Sequence, residues 1–282
     1  MSTDTSRISP TAHYTGYVWC KNGLSHDALR TKLGRRLYTA LAPANAAYRK
    51  VTGKADLEMS LLARHLVIDR LLTSAIESGR VGQVVEIAGG LSARGAKFAE
   101  RYRDQGLTYV EGDLPDMAET KKSLLERAGL RGANHFVVEL NALIDDGPQS
   151  LAAVAGELLD PGKGTAIITE GLTGYFSPDD LEGMWRRFAL CLAGFPRGAY
   201  FADIILGGNA GSAARVFKKL LELFARGATY LHYSGDDECV ARLCGCGFDR
   251  AQLHHPKAFA DAGVPAPERQ HIVRLIDART GA

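Results

Sequence analysis

The chain lacks a cysteine framework, a long apolar run and a surplus of either charge. Its five cysteines, Cys20, Cys191, Cys239, Cys244 and Cys246, are odd in number and scattered over 282 residues. That excludes a disulfide scaffold and fits reduced thiols in a cytosol. No stretch reaches the ~18 consecutive apolar residues that a spanning helix needs. The opening Met1 to Pro10 is polar, without the apolar centre of a secretory signal. A cytoplasmic protein with no membrane partner is expected. A net charge of +2 offers no broad basic field for phosphate backbones, so no nucleic-acid partner is expected either. Internal repeats and low-complexity tracts are missing. So are a Walker lysine and a Gly-x-Gly-x-x-Gly turn. Cys244-Gly245-Cys246 is not the Cys-x2-Cys of a zinc knuckle and has no second pair, so no metal is expected.

What is present is an ordinary globular composition, 46% hydrophobic and 23% charged, in a chain long enough to bury a substantial core. Ser2 to Pro10 reads as a frayed tail. Ser25 to about Leu41 and Asp56 to Ser78 read as helices, the second with Leu57, Leu61, Leu62, Leu66, Ile68, Leu71, Leu72 and Ile76 at helical spacing. After Gly79 the grammar changes. Short apolar runs begin at Val84, Leu107, Phe136, Thr165 and Tyr200, and helical segments run over 93–103, 115–128 and 150–159 and from Ser177-Pro178. That alternation predicts a mostly parallel sheet covered on both faces. A further helix is expected over 213–225, then a helix-like 236–243. The last strand candidates, 247–254 and 271–276, have no long helix between them and predict an antiparallel pair at one sheet edge. Residues 1–80 are expected to form a helical cover on a ligand-binding domain over 81–282.

In such sheets ligands bind beyond the carboxyl ends of the strands, where strand order reverses. The turn after the first strand must let a ligand approach the backbone, and Ala88-Gly89-Gly90 supplies small residues there. Glu86 lies inside that strand, where a charge is costly without donors. It either reaches solvent at the strand end, contacts the cofactor or anchors the turn. Glu111 and Asp113 both stand where an acid can bind ribose hydroxyls, some 20 residues beyond the glycines. Without a pyrophosphate-binding turn, a cofactor with one nucleoside and no phosphates is favoured.

Ile87-Ala88-Gly89-Gly90-Leu91-Ser92-Ala93-Arg94 resembles the L-G-A-G-L-D-T-R motif of the leucine carboxyl methyltransferase family, including its bacterial polyketide O-methyltransferase branch. Val110-Glu111-Gly112-Asp113-Leu114-Pro115 with Lys121-Lys122 resembles that family's E-x-D-x-P segment and its following lysine. Thr169 to Phe176, Glu-Gly-Leu at its head, is similar to the E-G-L-x-x-Y segment, and Leu62-Ala63-Arg64-His65 resembles the arginine segment that holds the cofactor carboxylate. The match covers residues 60 to 190. The resemblance implies a Rossmann-like class I methyltransferase, a seven-stranded sheet with an antiparallel edge strand, using S-adenosylmethionine (SAM) and releasing S-adenosylhomocysteine (SAH). By the same resemblance Arg64 pairs with the methionine carboxylate, Gly89 and Gly90 pass close to the cofactor, and Asp113 holds the ribose. Glu170 sits beside the amino-acid end, and Asn141 with Ala142 lies against the adenine. Asn141 departs from the family's frequent Asp, and Ser92 replaces another.

The expected partner is a small-molecule methyl acceptor, methylated on a carboxylate or a hydroxyl. A carboxylate needs no base at neutral pH, whereas a hydroxyl needs one, and His13, His65 and His232 are the candidates. The aromatic segment 10–19, with Tyr14, Tyr17 and Trp19, either straps the helices or closes over the cofactor and lines the acceptor site. Tyr175 points to the same mouth. Arg94 either meets an acidic acceptor or forms a structural ion pair. Three other readings remain beside this one: methylation of a protein C-terminal carboxylate, an NAD-dependent oxidoreductase, and a SAM-binding protein without catalysis. Nothing in the pattern sets an oligomeric state.

Overall fold

A computed structural model describes residues 9–208 and 229–281. Seven strands form one sheet in the order β3-β2-β1-β4-β5-β7-β6. They are β1 (Gln83–Ile87), β2 (Thr108–Asp113), β3 (His135–Glu139), β4 (Thr165–Thr169), β5 (Gly198–Ile205), β6 (Arg250–His254) and β7 (Val273–Thr280). The first five are mutually parallel, and β7 runs antiparallel to both β5 and β6. The mostly parallel Rossmann-like sheet is therefore found, with the antiparallel pair β6 and β7 at one edge. Strand order reverses between β1 and β4, which opens a crevice at their carboxyl ends.

Alternation along the strands divides the core into two layers. Val85, Ile87, Val110 and Ile167 face Leu181, Trp185 and Phe188 of the helix Pro178–Ala193. Val84, Tyr109, Ala166 and Ile168 face the opposite side, under Val67, Ile68, Leu72 and Ile76. These last four belong to α3 (Leu57–Glu77), capped by Asp56, whose Oδ1 accepts from the Met59 N–H at 2.8 Å. Within the first 80 residues, α3 is thus a layer of the sandwich. α1 (Ser9–Lys21) and α2 (Lys32–Thr52) pack against each other, and α1 also packs on α3.

Boundaries near the N-terminus differ from the sequence expectation, and the helix expected from Ser25 starts at Lys32. The tail expected to Pro10 gives way to α1 at Ser9, because Tyr14, Val18 and Trp19 find an apolar seat on Leu57, Leu61 and Leu62. The helix expected to stop near Leu41 runs to Thr52 through Pro43, and a left-handed Gly53 ends it. A proline inside a helical pattern signals a break, and here the helix continues past it. The expected helix over 213–225 lies outside the described residues. No helix among the described residues is long and apolar enough to cross a membrane.

Candidate functional site

The turn after β1 is the centre of the site. Ala88 and Gly90 both adopt left-handed backbone, with φ of 57° and 52°. The Gly90 N–H points at the carboxyl end of β2 and donates to Asp113 Oδ2 at 3.0 Å, while Leu114 N–H donates to Oδ1 at 2.8 Å. Burial pushes the Asp113 carboxyl up to about 6, against the lowering effect of those two N–H groups. Each carboxylate oxygen keeps a further lone pair for a ligand.

Asp113 opens onto a cavity of about 420 Å³ bounded by Ile87, Ala88, Gly90, Asn141, Ala142 and Phe176, within the usual range of small-molecule sites. Its charged lining is acidic, Asp113 and Asp116, with no lysine or arginine among the described residues. Asn141 reaches it with its Oδ1 already accepting from Leu143 N–H at 3.0 Å. Ala12 and His13 of α1 close the roof. His13 Nδ1 lies 3.0 Å from Thr31 Oγ1, and burial lowers its pKa. A second, smaller cavity of about 70 Å³ lies on the other side of the same roof, lined by Tyr14, Arg64, Gly171, Tyr175, Asp203 and Thr229 among others. Residues 171 to 173 are shared out between the two: Leu172 lines the larger, Gly171 and Thr173 the smaller.

Beneath these cavities lies a buried charge network. Arg94 has no exposed side-chain surface, and it donates to Asp69 at 2.5 Å, Glu86 at 2.5 Å and Glu170 at 2.7 Å. Tyr109 donates its hydroxyl to the other oxygen of Glu86 at 2.8 Å. His65 Nδ1 stands 2.8 Å from Glu170 Oε2, with the Trp19 ring tilted against its own at 4.7 Å. Arg94 Nη2 stands 2.9 Å from the same ring nitrogen. Arg64 donates to Glu170 at 3.0 Å and approaches Asp203 Oδ2 at 3.5 Å. Burial acts to raise the Glu170 carboxyl, yet His65, Arg94 and Arg64 hold it well below the usual carboxylate range.

Several expectations are corrected by this geometry. Arg94 is buried and saturated by three carboxylates, so it cannot meet an acceptor. Glu86 anchors the turn through Arg94 and Tyr109 rather than lining either cavity, and Glu170 organises Arg64 and His65 from behind the wall. Gly89 packs over the Glu86 carboxyl, where a Cβ would come within 3.1 Å, so it is Ala88 and Gly90 that face the cavity. Glu111, the other acid on β2, turns inward to Lys121 and to His135 at 2.6 Å. Tyr17 packs tilted against Tyr38 at 5.2 Å and Trp19 against His65, leaving Tyr14 and Tyr175 as the aromatics at the smaller cavity. His232 is buried, with Nε2 3.0 Å from the Thr173 carbonyl, which makes it a brace for the 171–173 segment. Arg64, Gly90, Asp113, Asn141, Ala142, Tyr14, Tyr175 and His13 do line the two cavities.

Asp69 and Asp203 went unread in the sequence. Both carried a usable signal, an acid inside an otherwise apolar helix face or strand, which at burial demands a partner.

A sheet of this order, with a glycine turn after β1 and a cavity-lining carboxylate after β2, is the class I methyltransferase fold. The solved structure of a "putative methyltransferase" from Thermobifida fusca YX shares it with a TM-score of 0.65 at 15% identity, over 97% of this chain and 98% of that one. The chain belongs to the leucine carboxyl methyltransferase family, whose model matches residues 23–189. A relative from Mycolicibacterium paratuberculosis (strain ATCC BAA-968 / K-10), named "Putative S-adenosyl-L-methionine-dependent methyltransferase", is 31% identical over 229 residues, 78% of this chain and 71% of its own length. One of the same name from Mycolicibacterium gilvum (strain PYR-GCK) is 34% identical over 119 residues, 42% of this chain, and the match spans only 36% of that relative's length.

Proposed function

We propose that the protein is a SAM-dependent methyltransferase acting on an oxygen of a small molecule. The observation that carries this reading is the larger cavity. It joins a ligand-facing carboxylate, Asp113, and a close backbone approach at Ala88 and Gly90 to a lining with two acids and no cation. Such a lining suits an uncharged nucleoside and repels a pyrophosphate, which separates SAM from NAD. Asp113 accepts from the ribose hydroxyls, and Asn141 with Ala142 borders the adenine. Arg64, at the far side of the 171–173 segment, takes the methionine carboxylate with a guanidinium fork. SAM supplies an electrophilic methyl group on a good leaving group. The chain itself has to align the acceptor and exclude water, which the roof of α1 over both cavities accomplishes.

Calorimetric titration with SAM, SAH and NAD tests the reading directly. SAM and SAH are expected to bind, and NAD is not. Binding of NAD without either sulfur nucleoside overturns it.

A further inference from the structure

A cavity of about 530 Å³ lies at the other end of the sheet from the glycine turn. It opens where Arg80 leads into β1 and where Arg279 of β7 pairs with Ala199 near the start of β5, remote from the crevice at the carboxyl ends of the strands. Its charged lining is Arg80, Arg250, Arg279 and a single acid, Asp277. Arg279 takes that acid for itself, donating to both carboxylate oxygens, with its guanidinium over the Phe201 ring at 4.8 Å. Arg250 stands directly across from Arg279 in the register of β6 and β7. Two like charges therefore share one face of the edge pair, which is destabilising when nothing neutralises them. The side chains of Arg80 and Arg250 have no hydrogen bond or ion pair among the described residues. The carbonyls of Ser74, Ala75 and Ile76 at the end of α3 are already taken by the backbone N–H groups of Ser78, Arg80 and Gly79, which leaves these arginines no capping role there.

We infer that this cavity is a second ligand site, one that binds a dianionic phosphate group, as the free ion or as a small phosphate monoester. Three guanidinium groups around one carboxylate leave a local excess of positive charge, which a phosphate above its second pKa of about 6 balances. A guanidinium fork matches phosphate oxygens two at a time, and Arg80 and Arg250 reach the cavity from separate elements with their donors open. Ser74 on α3 and Gln252 on β6 border the same space with a hydroxyl and an amide for the remaining phosphate oxygens. The volume leaves room for a small polar body beyond the phosphate. None of these residues lines either of the two cavities under α1, so the site stands apart from the methyl-transfer reading.

Calorimetric titration of the full chain at pH 7.5 with inorganic phosphate, glycerol 3-phosphate and glycerol tests the site. At least one of the two phosphate probes is expected to bind, and glycerol is not. Arg80→Gln and Arg250→Gln are each expected to weaken that binding by ~10-fold or more, the loss of a charge-assisted hydrogen bond. Neither side chain has a partner to lose, so a thermal midpoint no lower than that of wild type certifies the fold of each variant. Tighter binding of glycerol 3-phosphate marks a monoester as the ligand, and tighter binding of inorganic phosphate marks the free ion. No binding of either phosphate probe overturns the site. So does binding that both variants leave unchanged, which is an adventitious ion only.

Discussion

Asp113 answers to two opposed demands. Its carboxyl is held near 6 in the folded chain, above the ~3.9 of an unfolded aspartate. Ionisation therefore costs the cofactor-free protein stability. The cost is absent below the unfolded value and complete above about 6. Asp113→Asn is expected to raise the thermal midpoint of the cofactor-free protein at pH 7.5, with no gain at pH 4. The same change is expected to weaken SAM by ~10-fold or more in calorimetry. In wild type, SAM affinity should fall as pH drops through about 6, and that step should vanish in the Asn variant. Unchanged SAM affinity in Asp113→Asn removes the residue from the ribose site. Spacing alone left Glu111 and Asp113 level, since both acids belong to the same strand end, and only the family resemblance pointed to Asp113. Lys121 and His135 approach from the helix Pro115–Arg127 and from β3 to claim Glu111, and no local pattern announces that.

At the scale of elements, the roof is what turns a crevice into two cavities. α1 lies so close to the turn after β1 that a Cβ on Gly16 would come 2.9 Å from Leu91 Cβ, and one on Gly90 would come 3.1 Å from Ala12 Cβ. Close approach of this kind requires glycine. Gly16→Val is expected to lift α1 from the turn, weakening SAM binding by ~10-fold or more, at a stability cost of about 1–3 kcal/mol from overpacking. Calorimetry and chemical denaturation read the two effects separately. Full SAM affinity in this variant shows that α1 does not close the site. The sequence signal here was aromatic density over 10–19, which marked a contact surface but not its direction. Tyr14 turns to the cavity while Tyr17 and Trp19 turn to Tyr38 and His65, because helical phase set by α2 and α3 sorts them.

Across the whole molecule, Arg94 is the tie. It joins α3 through Asp69, β1 through Glu86 and the end of β4 through Glu170, so it sets the relative placement of the elements that carry Arg64 and the glycine turn. Arg94→Met keeps much of the volume but strands two buried carboxylates, Glu86 and Glu170, and the half-buried Asp69. It is expected to cost roughly 3–5 kcal/mol in urea denaturation. An acceptor-binding arginine at the surface would lose almost none, so a near-wild-type midpoint refutes the buried network.

Local pattern alone determined the strand and helix alternation, the small-residue turn at 88–90, the acid-bearing end of β2 and the family resemblance over 60 to 190. These are properties of spacing and residue type, which act between near neighbours in the chain. Which charged groups face ligand and which face one another was decided only by tertiary structure. Arg64 and Arg94, Glu111 and Asp113, and Glu170 and Asp203 look alike as residues. Their roles part according to partners 8 to 139 positions away, because a buried charge takes the character of whatever counter-charge the fold brings to it.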